Sequence, residues 1–389
     1  MLVEIKLKTS TSFRAVALNA MIIAQSLNLE SKSPSHTTIL NWIHKIGYYQ
    51  LKIKKEKSDD WIIMIDESIQ VGKEKILLII GIKEKDVDFS RPLVLQDMLP
   101  LREEVHRSMT GEQISAVLSD LKKELGDIKY AVSDGGSNIK KGLRLSGITH
   151  IYDLTHRISM ILEKKYNTND NYVKLLELIS GLKTKYVQTD LAFLMPPKLR
   201  NKSRYINMFE VSRWLLNTLK YYENNKENDI CKKLEWIYEY KDFIHELNTS
   251  IEDIKEIEKT LKTNGYSKET ENKCFEIMYK NKSGLGEILR NDLTDYFHEL
   301  SEKLDNTNKI VITSDIIESA FGKYKNYLSE NTMAGITNLI LCISAFTFRL
   351  EESRIKTALE SISINDIKKW TKETIGKSLF QARKEAYVN

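Results

Sequence analysis

"WIIMIDESI", residues 61 to 69, decides how the rest of the chain is read. Five apolar residues run without a break into Asp66. A strand that is apolar on both faces belongs in the middle of a sheet covered on both sides. A carboxylate in that setting is costly to bury alone, so Asp66 needs compensation, and a bound cation supplies it. Glu67 follows directly, but neighbouring strand residues point to opposite faces, so only one of the two can join a given site. Asp66 shares its face with Met64 and Ser68.

Working outward, "KILLIIGIK" (75 to 83) and "PLVLQDML" (92 to 99) read as two further strands of a meander. The helical stretch "TGEQISAVLSDLKKELG" (110 to 126) leads to a fourth strand, "IKYAVSD" (128 to 134), and then to a short fifth, "THIYDL" (149 to 154). Three strands, a helix, a strand, a helix and a strand make an α/β ribonuclease H-like core with a mixed five-stranded sheet. From 155 to about 305 the apolar spacing is helical throughout, with no sustained heptad, which indicates a large all-α insertion rather than a coiled coil. "TSDIIESAFGKYKNYL" (313 to 328) resumes the core, and "AGITNLILCISAFTFRL" (334 to 350) reads as an apolar helix packed on it.

Ahead of the core, "SFRAVALNAMIIAQSLN" (12 to 28) and "SHTTILNWIHKIG" (35 to 47) are helical, with Ser35 as an N-cap and Gly47 as a helix end. Two helices and a turn read as an N-terminal helix-turn-helix, although such pairs are common in any context. In that reading His36, Thr37, Asn41 and Lys45 face a DNA major groove while Ile39, Leu40, Trp42 and Ile43 pack. The expected divisions are a helix-turn-helix domain over 1–57, core over 58–156, insertion over 157–305, core again over 306–350 and a helical tail over 351–389.

Composition agrees with a folded, water-facing chain: 41% of the 389 residues are apolar and 29% charged. Net charge is +5, and it is unevenly placed. Residues 1 to 57 hold nine Lys or Arg against three acids, a net of +6, so the remainder is at −1. A basic leading segment suits phosphate backbone as well as plain solvent. Cys231, Cys274 and Cys342 are far apart and form no zinc or disulfide pattern, which fits a reducing, intracellular setting. No segment has the ~18 to 20 apolar residues of a membrane span, and the opening residues lack the apolar core of a signal peptide.

Two more acids fall where this core gathers ligands. Asp134 ends the fourth strand before Gly135 and Gly136, which permit positive φ and close approach of a substrate backbone. Glu318 stands on the resumed helix, with Gly322 and Lys325 on the same face four and seven residues on. Asp66, Asp134 and Glu318 are the chemistry for two Mg²⁺ ions, with Mn²⁺ as a substitute, arranged for in-line attack on a phosphodiester. Gly322 then lets a phosphate approach and Lys325 neutralises it. Each acid has a plain structural reading beside this one: a strand end, an Asp-Gly turn, and an Asp315-x-x-Glu318 capping box. Asp315 also competes with Glu318 for the third position.

"MIDES", "AVSDGGSN" and "DIIESAFGKYKN" resemble the first Asp, second Asp and Glu motifs of the DDE transposases. "YDLTHRI" is similar to the C/D-x-x-H motif of the Mutator-like and hAT groups and their bacterial relatives, and "EVSRWLLNT" to the Arg-Trp motif within their insertions. The resemblance covers about 61 to 350, without the zinc-binding domain of the hAT group. It implies a transposase that binds double-stranded DNA at its element's terminal repeats, cuts it with Mg²⁺ and joins it to target DNA. It also implies supporting roles for Asp153 and His156, base contact by Trp214 with Arg213 beside it, and a homodimer or larger assembly on DNA. A bacterial or archaeal cytoplasm, on nucleoid DNA and without a membrane, is the expected setting. Trp214 and the Asp153–His156 pair also read as structural residues. Two rivals remain: a resolvase-like nuclease on the same core, and a transposase-derived DNA-binding protein without catalysis.

Overall fold

Five strands build one mixed sheet: β1 (Ser58–Ile69), β2 (Lys75–Lys83), β3 (Leu99–His106), β4 (Gly126–Ser133) and β5 (Thr149–Tyr152). The computed structural model describes residues 1–29, 33–69, 74–199, 204–227, 229–280, 286–303, 309–328 and 335–388. Strand order is β3-β2-β1-β4-β5. The pairs β1–β2 and β2–β3 are antiparallel, while β1–β4 and β4–β5 are parallel. That mixed arrangement is consistent with the ribonuclease H-like core.

Helices in chain order are α1 (Leu2–Lys8), α2 (Phe13–Ser26), α3 (His36–Lys52), α4 (Gly111–Leu125) and α5 (Ser137–Leu145). Then come α6 (Leu154–Tyr166), α7 (Asp170–Tyr186), α8 (Arg204–Asn224), α9 (Asp229–Lys232), α10 (Lys241–Asn264), α11 (Lys268–Lys280) and α12 (Gly286–Lys303). The chain closes with α13 (Asp315–Leu328), α14 (Leu341–Phe346), α15 (Glu352–Ser361), α16 (Ile364–Thr374) and α17 (Leu379–Val388).

The chain forms two compact units: residues 1–88, 92–153 and 313–389 in the first, and residues 89–91 and 154–312 in the second. In the first unit, Trp61, Ile63 and Ile65 of β1 meet Ile114, Leu118, Leu121 and Leu125 of α4 and Ile139 and Leu143 of α5. The opposite face of the sheet is covered by α3, α13 and α14, which explains why β1 and β2 are apolar on both sides. Trp61 through Ile65 are all fully buried. The second unit is helical, with one isolated bridge between Tyr266 and Ile310.

Three readings of the sequence change here. The third strand is not 92–99; that segment holds a 3-10 turn, Leu95–Asp97, in which Asp97 accepts from Val94 N at 2.8 Å. The strand starts where the apolar stretch ends, at Leu99. It is an edge strand with a register break between its Pro100 and Arg102 pairings, so its charged residues concealed it. Gly47 does not end a helix: α3 runs on to Lys52, and Gly47 is where α14 crosses it closely. A Cβ there would collide with the Leu341 carbonyl. The apolar stretch before 350 is the short 3-10 turn Asn338–Ile340 followed by α14, all six residues of which are buried.

Candidate metal and nucleic-acid site

The last paired position of β1 and β4 is Met64 with Val132, and Asp66 and Asp134 each lie two residues beyond it. The two carboxylates therefore stand side by side at the carboxyl ends of neighbouring parallel strands, both half-buried. Open sheets with crossover helices place ligands there. Asp66 Oδ1 accepts from the backbone N–H of Glu67 at 2.7 Å. Glu67 points the other way, with Lys75 Nζ 3.0 Å from its Oε2 and His106 Nε2 3.2 Å from its Oε1. Of the two adjacent acids, Asp66 is thus the one on the face covered by α13 and α14.

Asp134 closes its turn by accepting from Gly136 N–H at 3.0 Å. Gly135 takes φ 79°, and Tyr152 and Lys140 fill the space where a Cβ would project. The space that Gly135 frees is therefore used by the protein's own side chains, and Gly136 keeps a negative φ of −49°. Only the first glycine needs the left-handed region.

Glu318 lies on α13, which packs against β1 and α14. Ile316, Ile317, Ala320, Phe321 and Tyr324 form the buried face of this helix. Glu318, Gly322 and Lys325 are all exposed on the other, and nothing lies within 4 Å of where a Gly322 Cβ would be. Lys325 makes no ion pair among the described residues. The helix begins at Asp315, directly after Ser314. Asp315 is half-buried in the same first turn.

What sets the start of α13 is Asp153. This residue is 1% exposed, and its Oδ2 accepts from both Ser314 N at 2.6 Å and Ser314 Oγ at 2.9 Å. Its own N–H donates to Ser133 O at 2.9 Å, one residue before Asp134. A single buried residue thus ties the end of β4, through its N–H, to the beginning of the helix that carries Glu318, through its carboxylate. Charge-assisted bonds to backbone N–H groups are among the stronger hydrogen bonds, and an acid at a helix N-terminus is favoured electrostatically.

His156 sits half-buried in the first turn of α6, in the second unit. Arg213 and Trp214 lie on α8 of that unit. Arg213 is exposed, whereas Trp214 stacks on Trp236 at 6.4 Å between ring centroids and donates its Nε1–H to Leu194 O at 3.0 Å. Both the face and the polar edge of that indole are engaged within the unit. On α3, His36 and Thr37 are exposed while Asn41 and Lys45 are half-buried, and Lys45 Nζ donates to Leu359 O at 2.8 Å. Ile39, Ile43, Ile46 and Leu51 pack inward, and the turn at 30–32 lies outside the described residues.

No protein-family model and no curated protein matches the chain. Among solved structures it is similar to the Drosophila P element transposase strand transfer complex, at 12% identity and a TM-score of 0.44. The match covers 89% of this chain and 92% of that one. A likeness that weak says nothing of chemistry.

The donor set suits a hard divalent cation. Mg²⁺ typically takes one or two protein carboxylates and fills the rest of its octahedron with water and substrate phosphate, which Asp66 and Asp134 can satisfy. No group of three His, Cys, Asp or Glu converges as metal ligands among the described residues. No helix among them is long and apolar enough to cross a membrane.

Proposed function

We propose that the chain is a DNA transposase of the DDE type, in which Asp66, Asp134 and Glu318 hold divalent cations. The observation that carries this reading is the pair of half-buried aspartates at the carboxyl ends of adjacent parallel strands, with a third acid on the exposed face of a helix that packs on the first of those strands. When bound, Mg²⁺ supplies the Lewis acidity that in-line attack on a phosphodiester requires. Asp66 and Asp134 provide its fixed oxygen ligands. Glu318 would be the third ligand, Gly322 would leave a phosphate room beside the helix, and Lys325 would neutralise it. Asp153 acts on none of these atoms; it holds the start of α13 against the sheet.

The test mixes purified protein, Mg²⁺, labelled pre-cut ends of its own element and a supercoiled plasmid. Wild type joins ends to plasmid, and Asp66→Asn, Asp134→Asn and Glu318→Gln each reduce joining by roughly 10³-fold without change in melting. Joining that survives Glu318→Gln but not Asp315→Asn moves the third ligand one turn back. Metal-dependent cutting without joining supports a resolvase-like nuclease instead. Binding without cutting supports a DNA-binding protein.

A further inference from the structure

The basic character of the first 57 residues does not sit on the exposed first turn of α3. Lys6 donates to Thr11 O at 2.7 Å, Lys8 pairs with Glu4 at 2.5 Å, Lys45 is bound to Leu359 O, and Lys55 caps the end of α3 through Gln50 O at 3.0 Å and Leu51 O at 2.6 Å. Of the other five, Arg14 is exposed on α2, Lys32 lies outside the described residues, and three stand together at the end of α3 and just beyond it: Lys52, Lys54 and Lys57. All three are exposed, and they make no ion pair among the described residues. The acid among them, Glu56, is turned away to Lys83 at 2.7 Å.

These lysines, with Lys55 and Arg102, line a cleft of about 650 Å³ at the β3 edge of the sheet. Its three acids do little to offset them. Glu124 is engaged by Arg102 at 2.5 Å. Burial raises the carboxyl of Glu104 and pushes that of Glu103 up to about 8, which disfavours negative charge at both. Burial, with Arg102 and Lys52 nearby, pulls the ammonium of Lys55 down to about 8. Like charges are held together here with too few opposite charges among them, which is favourable only with an anionic partner.

We infer that this cleft binds the sugar-phosphate backbone of duplex DNA, with Lys52, Lys54 and Lys57 reaching its phosphates. The inference rests on the transposase reading for its choice of partner. It assigns the DNA-holding role of the leading segment to the last residue of α3 and the connector to β1 rather than to the exposed turn at His36. Glu103, which lines the cleft, stands in one cross-strand row with Leu78 and Asp66. That separation is about 10 Å at ordinary strand spacing, so DNA held here lies near the carboxylates without occupying them.

The experiment measures binding of a labelled duplex of arbitrary sequence by anisotropy, from about 50 to 200 mM salt, with the full chain. Lys52→Glu/Lys54→Glu/Lys57→Glu is compared with a control triple in α7, Lys174→Glu/Lys183→Glu/Lys185→Glu, also exposed. The cleft variant binds about tenfold or more weakly and its salt slope falls by about 0.9 for each phosphate that no lysine now neutralises, while the control binds as wild type. Unchanged binding by the cleft variant, or equal weakening in the control, overturns the cleft while leaving metal-dependent joining to stand. Free ATP that binds wild type tightly and the cleft variant poorly overturns the backbone assignment in favour of a nucleotide site. No duplex binding by wild type at all overturns both this inference and the transposase reading.

Discussion

Asp153 and Glu103 are both buried carboxylates with different surroundings. Asp153 Oδ2 accepts two hydrogen bonds from Ser314. Glu103 has one short bond, from Ser344 Oγ at 2.5 Å to its Oε1, and its Oε2 is buried with no partner. Its folded pKa of about 8 exceeds the ordinary 4.5. The folded state therefore holds the proton more tightly than the unfolded chain. Its stabilising effect is complete below about 4.5 and is lost as pH rises through about 8. Glu103→Gln keeps the acceptor for Ser344 and removes the titration. In thermal melts it is expected to be more stable than wild type at pH 8 by a few kcal/mol, with little difference at pH 4.5. Parallel curves across that range would show that Glu103 is charged in the folded protein.

At the scale of elements, α3 shows how a sequence pattern can be locally right and globally incomplete. Its periodicity and its Ser35 cap, with Thr38 N–H donating to Ser35 Oγ at 3.1 Å, were both legible. Its length was not, because glycine is the common terminator and Gly47 looked like one. Only the presence of α14 explains it: Leu341 passes too close for any side chain. Gly47→Ala should therefore destabilise the first unit by about 3 kcal/mol, in spite of alanine's better helix propensity. Chemical denaturation measures this directly, and a neutral or stabilising effect would mean that α14 has room to move. The same logic covers β3. Edge strands need only one buried face, and a bulge further scrambles alternation, so charge content hid a strand that pairing along β2 makes plain.

At the scale of the molecule, the ends of the long helical segment are held next to each other: Leu154 N–H donates to Ile312 O at 2.9 Å within the second unit, and within the first unit Ser314 N–H donates to Asp153 Oδ2 at 2.6 Å. Replacing residues 155–311 with a short Gly/Ser linker should leave a chain that melts cooperatively and keeps the circular dichroism of a mixed sheet. A molten, non-cooperative product would show that the sheet needs the helical unit in order to fold.

The sequence by itself determined the strands β1, β2, β4 and β5, the helices around them and the positions of Asp66, Asp134 and Glu318, because these follow from local periodicity and from the cost of burying a charge in an apolar run. The tertiary structure alone decided which neighbour of Asp66 faces away, what Gly47 and Gly135 make room for, and that Asp153 holds Ser314 from 161 residues away. It also decided that three exposed lysines of the leading segment, Lys52, Lys54 and Lys57, line one cleft. Those outcomes depend on packing between residues distant in the chain, and hydrophobic spacing carries no record of which distant partner a side chain will meet.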